Sequence, residues 1–434
     1  FNEYYPYEHG FPPTAFSLYT IGLLFKNNPS WKPDPEIKRS IQKSVNRLLK
    51  NPEKEALNQQ AAALAGIALC SDIKGISVDK GIFEKHLAEF FSRQSSEGWF
   101  PEYGGPDTGY LSVTIDCLYD YYEITNDERA WEAMEKAVNY IFSMMSVSGD
   151  IPAMINSRNT DYLVPYGLAR LAHTNQKAAA IISTIIKKTR EHNHYLYRTD
   201  DRYLCHYVFQ SCFRSLPYLD LKNENFEHHR DKKKITWFEE AGILINNTPG
   251  ITNYVYAAKG GVFYRYTKKG VCRADYGWRF STKNKTSATH WLGNVKNFDL
   301  NNSGEDIELT IAGQMHLQKW IKPSVKSHMV LRVLSFLIGR KLIPVLKKAM
   351  IFGKSGSAID YERVIRISDA DISITDHFKK SQVEKLRLYP APHYSLRHVS
   401  SAGRFVPEEL LRKNEYSETA DKGTITYTTR IQIH

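Results

Sequence analysis

Five clusters of polar side chains punctuate the first half of the chain, each just before or at the start of an apolar helical run. They are Glu8-His9, Asn58-Gln59-Gln60, Asp107-Thr108-Gly109-Tyr110, Arg158-Asn159-Thr160-Asp161 and Asp200-Asp201-Arg202-Tyr203. Amides and guanidinium groups bind anions and stabilise developing negative charge, carboxylates do general acid–base work, and phenols can do either. Asp, Asn and Thr are also the preferred residues for capping a helix start, so capping alone accounts for part of each cluster. It accounts less well for the Tyr, Arg and His that recur beside them. Trp99 and Tyr103 flank the acids of the loop Glu97 to Tyr110. Their aromatic faces are of the kind that stack on sugar rings; Trp99 could equally anchor the turn at Gly98.

What brings such clusters together is an internal repeat. Sliding the chain along itself until Phe91-Ser92 falls on Phe142-Ser143 also places Ser95 on Ser146, Gly98 on Gly149 and Pro101 on Pro152, with an apolar helix on either side of each loop. Up to about residue 230 the apolar spacing is helical, as in Ile41 to Leu49 and Trp131 to Phe142. The polar clusters recur at a spacing of roughly fifty residues, which implies about five helical hairpins. Stacked side by side, hairpins of this length curve into a solenoid or close into a toroid, with equivalent loops on one rim. The five clusters are therefore expected to converge on one mouth of an α/α ring.

Beyond residue 240 the texture changes. Gly261 to Thr267, Asp306 to Ile311, Asp371 to Thr375 and Thr424 to Ile433 alternate with period two and are rich in β-branched and aromatic residues. The expected fold is a two-domain α+β chain: an (α/α) toroid over 1–232, then an antiparallel β-sandwich over 233–434. The boundary is expected in the charged, helix-poor stretch Asn223 to Lys234.

Composition excludes several classes. A chain of 434 residues, 42% hydrophobic and 24% charged, has the apolar content of a folded protein rather than a disordered one. No run of eighteen uncharged apolar residues occurs, so a membrane-spanning helix is not expected. Five cysteines, odd in number and without metal-type pairing, argue against a disulfide scaffold or a structural zinc. No phosphate- or dinucleotide-binding glycine fingerprint occurs, so no cofactor is expected. The chain opens at Phe1, so a signal peptide is neither seen nor denied, and a periplasmic, cytoplasmic or membrane-peripheral location stays open. The net charge of +11 is unevenly spread: about −3 over 1–230 and about +14 over 231–434. A basic half attracts a polyanion; without a recognisable reading module, nucleic acid is not the expected one.

The loop Glu97-Gly-Trp-Phe-Pro-Glu-Tyr-Gly-Gly-Pro-Asp-Thr-Gly-Tyr110, the Asn58-Gln59 helix start before it, and the order of toroid then sandwich resemble the heparinase II/III-type polysaccharide lyases and related alginate and chondroitin lyases. The resemblance covers the architecture of the whole chain and only short motifs. It implies a core site of an Asn at one helix start and a Tyr some fifty residues later, here Asn58 and Tyr110. It also implies an active cleft between the two domains, with a His from the β domain. The nearest candidate is His290, in Ser287-Ala-Thr-His-Trp-Leu-Gly293, with His206 and His9 as alternatives at the ring mouth.

The reaction so implied is β-elimination on a uronic-acid polymer. The proton at C5, beside the carboxylate, is removed, the glycosidic oxygen leaves C4, and the enolate charge must be stabilised. Asn58, with Arg158 or Asn159, would bind the carboxylate, the arginine by a bidentate pair. A tyrosine beside a guanidinium has a lowered pKa; Tyr110, with Tyr103 and Tyr162 as neighbours, would act as base and then, as phenol, protonate the leaving oxygen. Further substrate contacts are expected from His9, Trp99, Glu102, Tyr103, Asp107, Asp161, Tyr162, Arg202, Tyr203 and His206. The partner so implied is an acidic polysaccharide, with a bacterial uronate-containing polymer favoured.

Two competing readings remain. Glu102 and Asp107, five residues apart, could be the carboxylate pair of a toroid glycoside hydrolase, with Asp161 or Asp201 across the ring. A C5-epimerase or a non-catalytic glycan-binding protein would use the same residue types. Separately, His316 to Lys348 carries Lys319, Lys322, Lys326, Arg332, Arg340, Lys341, Lys347 and Lys348 and no acid, interleaved with apolar residues. A basic amphipathic insertion at about 316–352 is expected, suited to an anionic membrane surface or a polyanionic chain, or simply packed on the sandwich with its lysines solvated.

Overall fold

The Ala-rich run Leu57–Ser71 is buried on every side, whereas Pro35–Lys50 buries only Ile41, Val45, Leu48 and Leu49 along one stripe. An all-round apolar helix needs neighbours on all sides and a striped one needs them on one, which sorts the helices into an inner and an outer row. In the computed structural model, residues 10–191, 208–219, 233–282, 285–303, 306–319, 324–339, 342, 358–368, 371–383, 386–391, 415–421 and 423–432 are described.

The helical part runs α1 (Phe11–Asn27), α2 (Pro35–Lys50), α3 (Leu57–Ser71), α4 (Lys80–Ser92), α5 (Thr108–Thr125), α6 (Glu128–Met144), α7 (Tyr166–Leu171), α8 (Gln176–Arg190) and α9 (Phe209–Ser215). The odd-numbered helices pack one on the next, from α1 through α3, α5 and α7 to α9. Glycines permit the close approach: a Cβ on Gly66 would lie 2.7 Å from the Tyr19 backbone nitrogen, and one on Gly167 2.9 Å from that of Asp116. The row then returns on itself. Arg214 of α9 donates to the Tyr19 hydroxyl of α1 at 3.2 Å and to the Asp120 carboxylate of α5 at 2.5 Å, and Tyr19 also bonds Asp120. This is an α/α toroid, with four hairpins and α9 among the described residues.

The repeat is visible as geometry. Gly98 N–H donates to the Ser95 carbonyl at 3.0 Å and Gly149 N–H to the Ser146 carbonyl at 2.9 Å, both glycines at positive φ (104° and 78°). In the first copy Phe100 stacks on Phe90 at 4.6 Å between ring centroids, anchoring the loop to α4.

The strands are β1 (Lys234–Phe238), β2 (Ile243–Thr248), β3 (Ile251–Tyr256), β4 (Val262–Thr267), β5 (Gly270–Asp275), β6 (Trp278–Ser281), β7 (Lys285–Ala288), β8 (Val295–Asn302), β9 (Ile307–His316), β10 (Gln318–Lys319), β11 (Ala358–Ile367), β12 (Asp371–Lys379), β13 (Arg387–Pro390), β14 (Tyr416–Ala420) and β15 (Thr424–Gln432). They form antiparallel sheets in the orders β1-β2-β3-β4-β5, β10-β7-β6-β13 and β14-β15-β12-β11-β9-β8. The six-stranded sheet buries alternate residues, Ile307, Leu309, Ile311, Ile365 and Ile374 among them, against Leu244, Val255 and Phe263 of the five-stranded sheet. Its other end, with Met315, Tyr361 and Phe378, packs on Trp278 and Phe280 of the four-stranded sheet. The result is an antiparallel sandwich.

A charged network sits inside it. Arg363 of β11 is 1% exposed; it pairs with both oxygens of Asp376 at 2.7 and 2.8 Å, with Asp275 at 2.8 Å and with the Gly261 carbonyl at 2.9 Å. Trp278 Nε1 adds a bond to Asp376 at 2.8 Å. A buried guanidinium is tolerable only with such full pairing.

The chain divides into two compact units, and it passes between them more than once. The helical unit takes the helices through Ser143, then Tyr162 onward through α9, and a further helix α10 (Val325–Ile338). The β unit takes the sheets together with Met144–Asp161. That segment is bonded to the five-stranded sheet: Tyr254 OH donates to the Met144 carbonyl at 2.8 Å, Val147 N–H to Thr252 Oγ1 at 3.1 Å, and Lys259 Nζ to the Asn156 carbonyl at 2.7 Å. The boundary expected in 223–234 falls largely outside the described residues, and the insertion expected at 316–352 is described as the end of β9, β10, α10 and Leu342.

Candidate functional site

In the helical unit the loop after α4 crosses the start of α3. Leu57 N–H donates to the Pro101 carbonyl at 3.2 Å, Tyr103 N–H to the Glu55 carbonyl at 2.7 Å, and Asn58 N–H to Glu102 Oε1 at 2.7 Å. The opening N–H groups of a helix have no partner within it. Ala56 at the N-cap supplies no side-chain oxygen; Glu102, itself buried, supplies one from the loop. The same loop ends in Asp107, which caps α5 by accepting Tyr110 N–H at 3.1 Å. Both acids thus act on helix starts, which is the capping role the residue types allowed.

These bonds fix Asn58 and Tyr110 in the first turns of two neighbouring inner helices. Asn58 is 1% exposed, and Tyr110 is half-buried with its ring edge-on to Tyr162, centroids 6.2 Å apart. Tyr162 is buried; Trp99 is half-buried, its indole N–H donating to Glu97 Oε2 at 2.8 Å. Tyr103 holds φ at 53°. That left-handed conformation costs an aromatic residue about 1–2 kcal/mol. Such conformations collect at functional sites.

The β unit holds further candidates. Arg158, Asn159 and Asp161 lie on the segment described above, with Asn159 also left-handed (φ 56°) and buried. Asn156 Nδ2 donates to the Thr160 carbonyl at 2.7 Å, and Lys259 Nζ bonds Asn159 Oδ1, so the turn is pinned from inside. His290, 1% exposed, faces the Tyr276 carbonyl through Nδ1 at 2.9 Å. A carbonyl only accepts, so Nδ1 is the donor of this pair. His9, Arg202, Tyr203 and His206 lie outside the described residues. Among the described residues no three His, Cys, Asp or Glu side chains converge to hold a metal ion.

No family model matches the sequence, and no curated protein does. Among solved structures the chain is similar to the chondroitin AC lyase of Streptomyces coelicolor A3 in complex with chondroitin sulphate, with a TM-score of 0.48 at 10% identity over 87% of this chain and 55% of that one. It is also similar to a Paenibacillus xanthan lyase, with a TM-score of 0.36 at 11% identity over 85% of this chain and 42% of that one. The chain spans about half the length of these lyases or less.

Lys259 was not among the sequence candidates. It ends the short turn Ala257–Lys259 and is 1% exposed. Lysine reaches such burial only when its ammonium is bonded. The one local signal is its setting, Ala257-Ala258-Lys259-Gly260-Gly261, where nothing polar keeps a lysine at the surface. Its partners, Asn156 and Asn159, are about a hundred residues earlier and are not readable from its neighbours.

Proposed function

We propose that the chain is a polysaccharide lyase of the heparinase II/III type that cleaves an acidic, uronic-acid-containing polysaccharide by β-elimination. One observation carries the reading: a single loop bonds the first turns of α3 and α5 through Glu102 and Asp107, and so fixes an amide, Asn58, and a phenol, Tyr110, on adjacent inner helix starts. Helix starts carry partial positive charge, which suits an anionic substrate and a phenolate.

In the proposed reaction Tyr110 as phenolate takes the C5 proton, and the C5–H electrons form the C4–C5 double bond. The C4–O bond breaks, and the leaving oxygen takes its proton from the Tyr110 phenol, so no water is consumed. Asn58 donates to the uronate carboxylate as its enolate charge develops; roles in binding substrate charge and in proton transfer are also assigned to Arg158, Asn159 and His290. Trp99, Tyr103, Asp161 and Tyr162 are assigned to sugar contacts. The hydrolase alternative is less supported, because Glu102 and Asp107 each have an oxygen committed to a helix start.

The test is a panel of uronic-acid polysaccharides followed by ultraviolet absorbance of the unsaturated product. Absorbance should rise with the wild type and fall by about 100-fold or more with Tyr110→Phe. Reducing ends without absorbance would replace the lyase by a hydrolase, and no turnover of any polymer would remove the reading.

A further inference from the structure

Helix α10 (Val325–Ile338) shows seven large apolar side chains to solvent, together with Lys326, Ser327, His328 and Arg332. Met329 is 64% exposed, Val330 57%, Val333 58% and Leu337 71%. Leu331, Leu334 and Ser335, on the other side, are half-buried or buried. Met329, Val330, Val333 and Leu337 recur at the spacing that puts side chains on one face of a helix, with Val325 (77%) and Phe336 (72%) beside them and Lys326 three residues before Met329. Its start is secured by a capping box between Ser324 and Ser327, so the element is a built helix rather than a stray turn. A helix hydrophobic on its outer face has something to cover it.

We propose that α10 docks this chain on an anionic lipid bilayer, lying in the plane of the surface with the Met329–Val330–Val333–Leu337 face in the acyl boundary. Charge selects this occupant. Lys326 and Arg332 on the helix are exposed, and the stretch His316 to Lys348 holds eight Lys or Arg and no acid. A second copy meeting this face would bring Lys326 and Arg332 against their own kind. An acidic polysaccharide would answer the charge but offers no apolar phase for the exposed side chains. Anionic lipid supplies both, as interfacial helices with basic flanks require. The helix has 14 residues. At the rise of an α-helix that is too short to span a hydrocarbon core, and no described helix is long and apolar enough to cross a membrane.

The test is sedimentation of the whole chain with vesicles of phosphatidylcholine alone or mixed with phosphatidylglycerol, independent of any enzymatic activity. The wild type should pellet with the mixed vesicles and stay in solution with the neutral ones. Val333→Ser with Leu337→Ser, and separately Lys326→Glu with Arg332→Glu, should each weaken binding by about tenfold or more. All four side chains are exposed, so unchanged melting would show that the variants still fold. Three results would overturn the proposal: no vesicle binding, equal binding to neutral vesicles, or loss in the charge variant alone, which would assign a purely electrostatic contact with a polyanion. A lipid-free dimer dissolved by Val333→Ser with Leu337→Ser would assign the face to a second copy instead.

Discussion

The carboxylate of Glu102 accepts the backbone N–H of Asn58 at 2.7 Å across 44 residues of chain, so the first turn of one hairpin is completed by the loop of the next. The loop is thereby part of α3. Glu102→Ala leaves a buried N–H without its acceptor and should cost about 1–3 kcal/mol, whereas Glu102→Gln keeps an oxygen and should cost less than about 1 kcal/mol. Urea unfolding followed by circular dichroism measures both. Equal losses in the two variants would show that something other than this bond holds the loop.

Asp116, on α5, is buried among the inner helices, and burial pushes its carboxyl up to about 7. Hydrogen bonds from Ser211 and from Gly167 N–H and the nearby Arg214 cation pull the other way, while Asp120 adds to the rise. Tyr19 and Cys117 stand close by. The folded carboxyl thus keeps a proton through a range where the unfolded chain, titrating near 3.8, has lost it. The native state then binds more protons than the unfolded one, and stability falls as pH rises from about 4 to about 7, levelling above. Asp116→Asn should flatten that part of the melting-temperature profile. A variant with an unchanged slope would place the titration elsewhere.

Arg363→Met removes the cation from the sandwich core and strands Asp376 and Asp275 around an apolar side chain. Breaking a buried pair from one side costs about 3–5 kcal/mol, and removing both sides costs less. Arg363→Met should therefore be more damaging than Arg363→Met combined with Asp376→Asn. Trp278, bonded to Asp376, reports on the spot, so guanidinium unfolding watched by tryptophan fluorescence reads the difference. A single variant within about 1 kcal/mol of wild type would deny the network its structural role.

The two periodicities were legible in the sequence because both are local. The helical runs at Ile41 to Leu49 and Trp131 to Phe142 lie inside α2 and α6, and the alternating segments lie within or across β4, β9, β12 and β15. The repeat was legible because its turn needs a glycine at positive φ three residues after a serine, and the chain supplies that pair twice, Ser95 with Gly98 and Ser146 with Gly149. Asn58 and Tyr110 could be placed at helix starts for the same reason. The bond from Glu102 to Asn58 could not be read, since an acid in a loop looks the same whether it caps a distant helix or faces solvent. Nor could the partners of Lys259 or Arg363, which are chosen by packing between strands and segments far apart in the chain. Arg363 did leave a trace: it occupies an inward position among Tyr361, Ile365 and Ile367, where alternation calls for an apolar residue.

Met144–Asp161 belongs to the β unit although its neighbours on both sides belong to the helical one. During synthesis this stretch leaves the ribosome about a hundred residues before Thr252, Tyr254 and Lys259, the side chains that hold it. The helical hairpins can therefore assemble early, but the turn carrying Arg158 and Asn159 waits for strands not yet made. A nascent chain halted near residue 230 would carry its helical hairpins without the strands that hold this turn, so the order of Arg158 and Asn159 depends on the last part of the chain to be made.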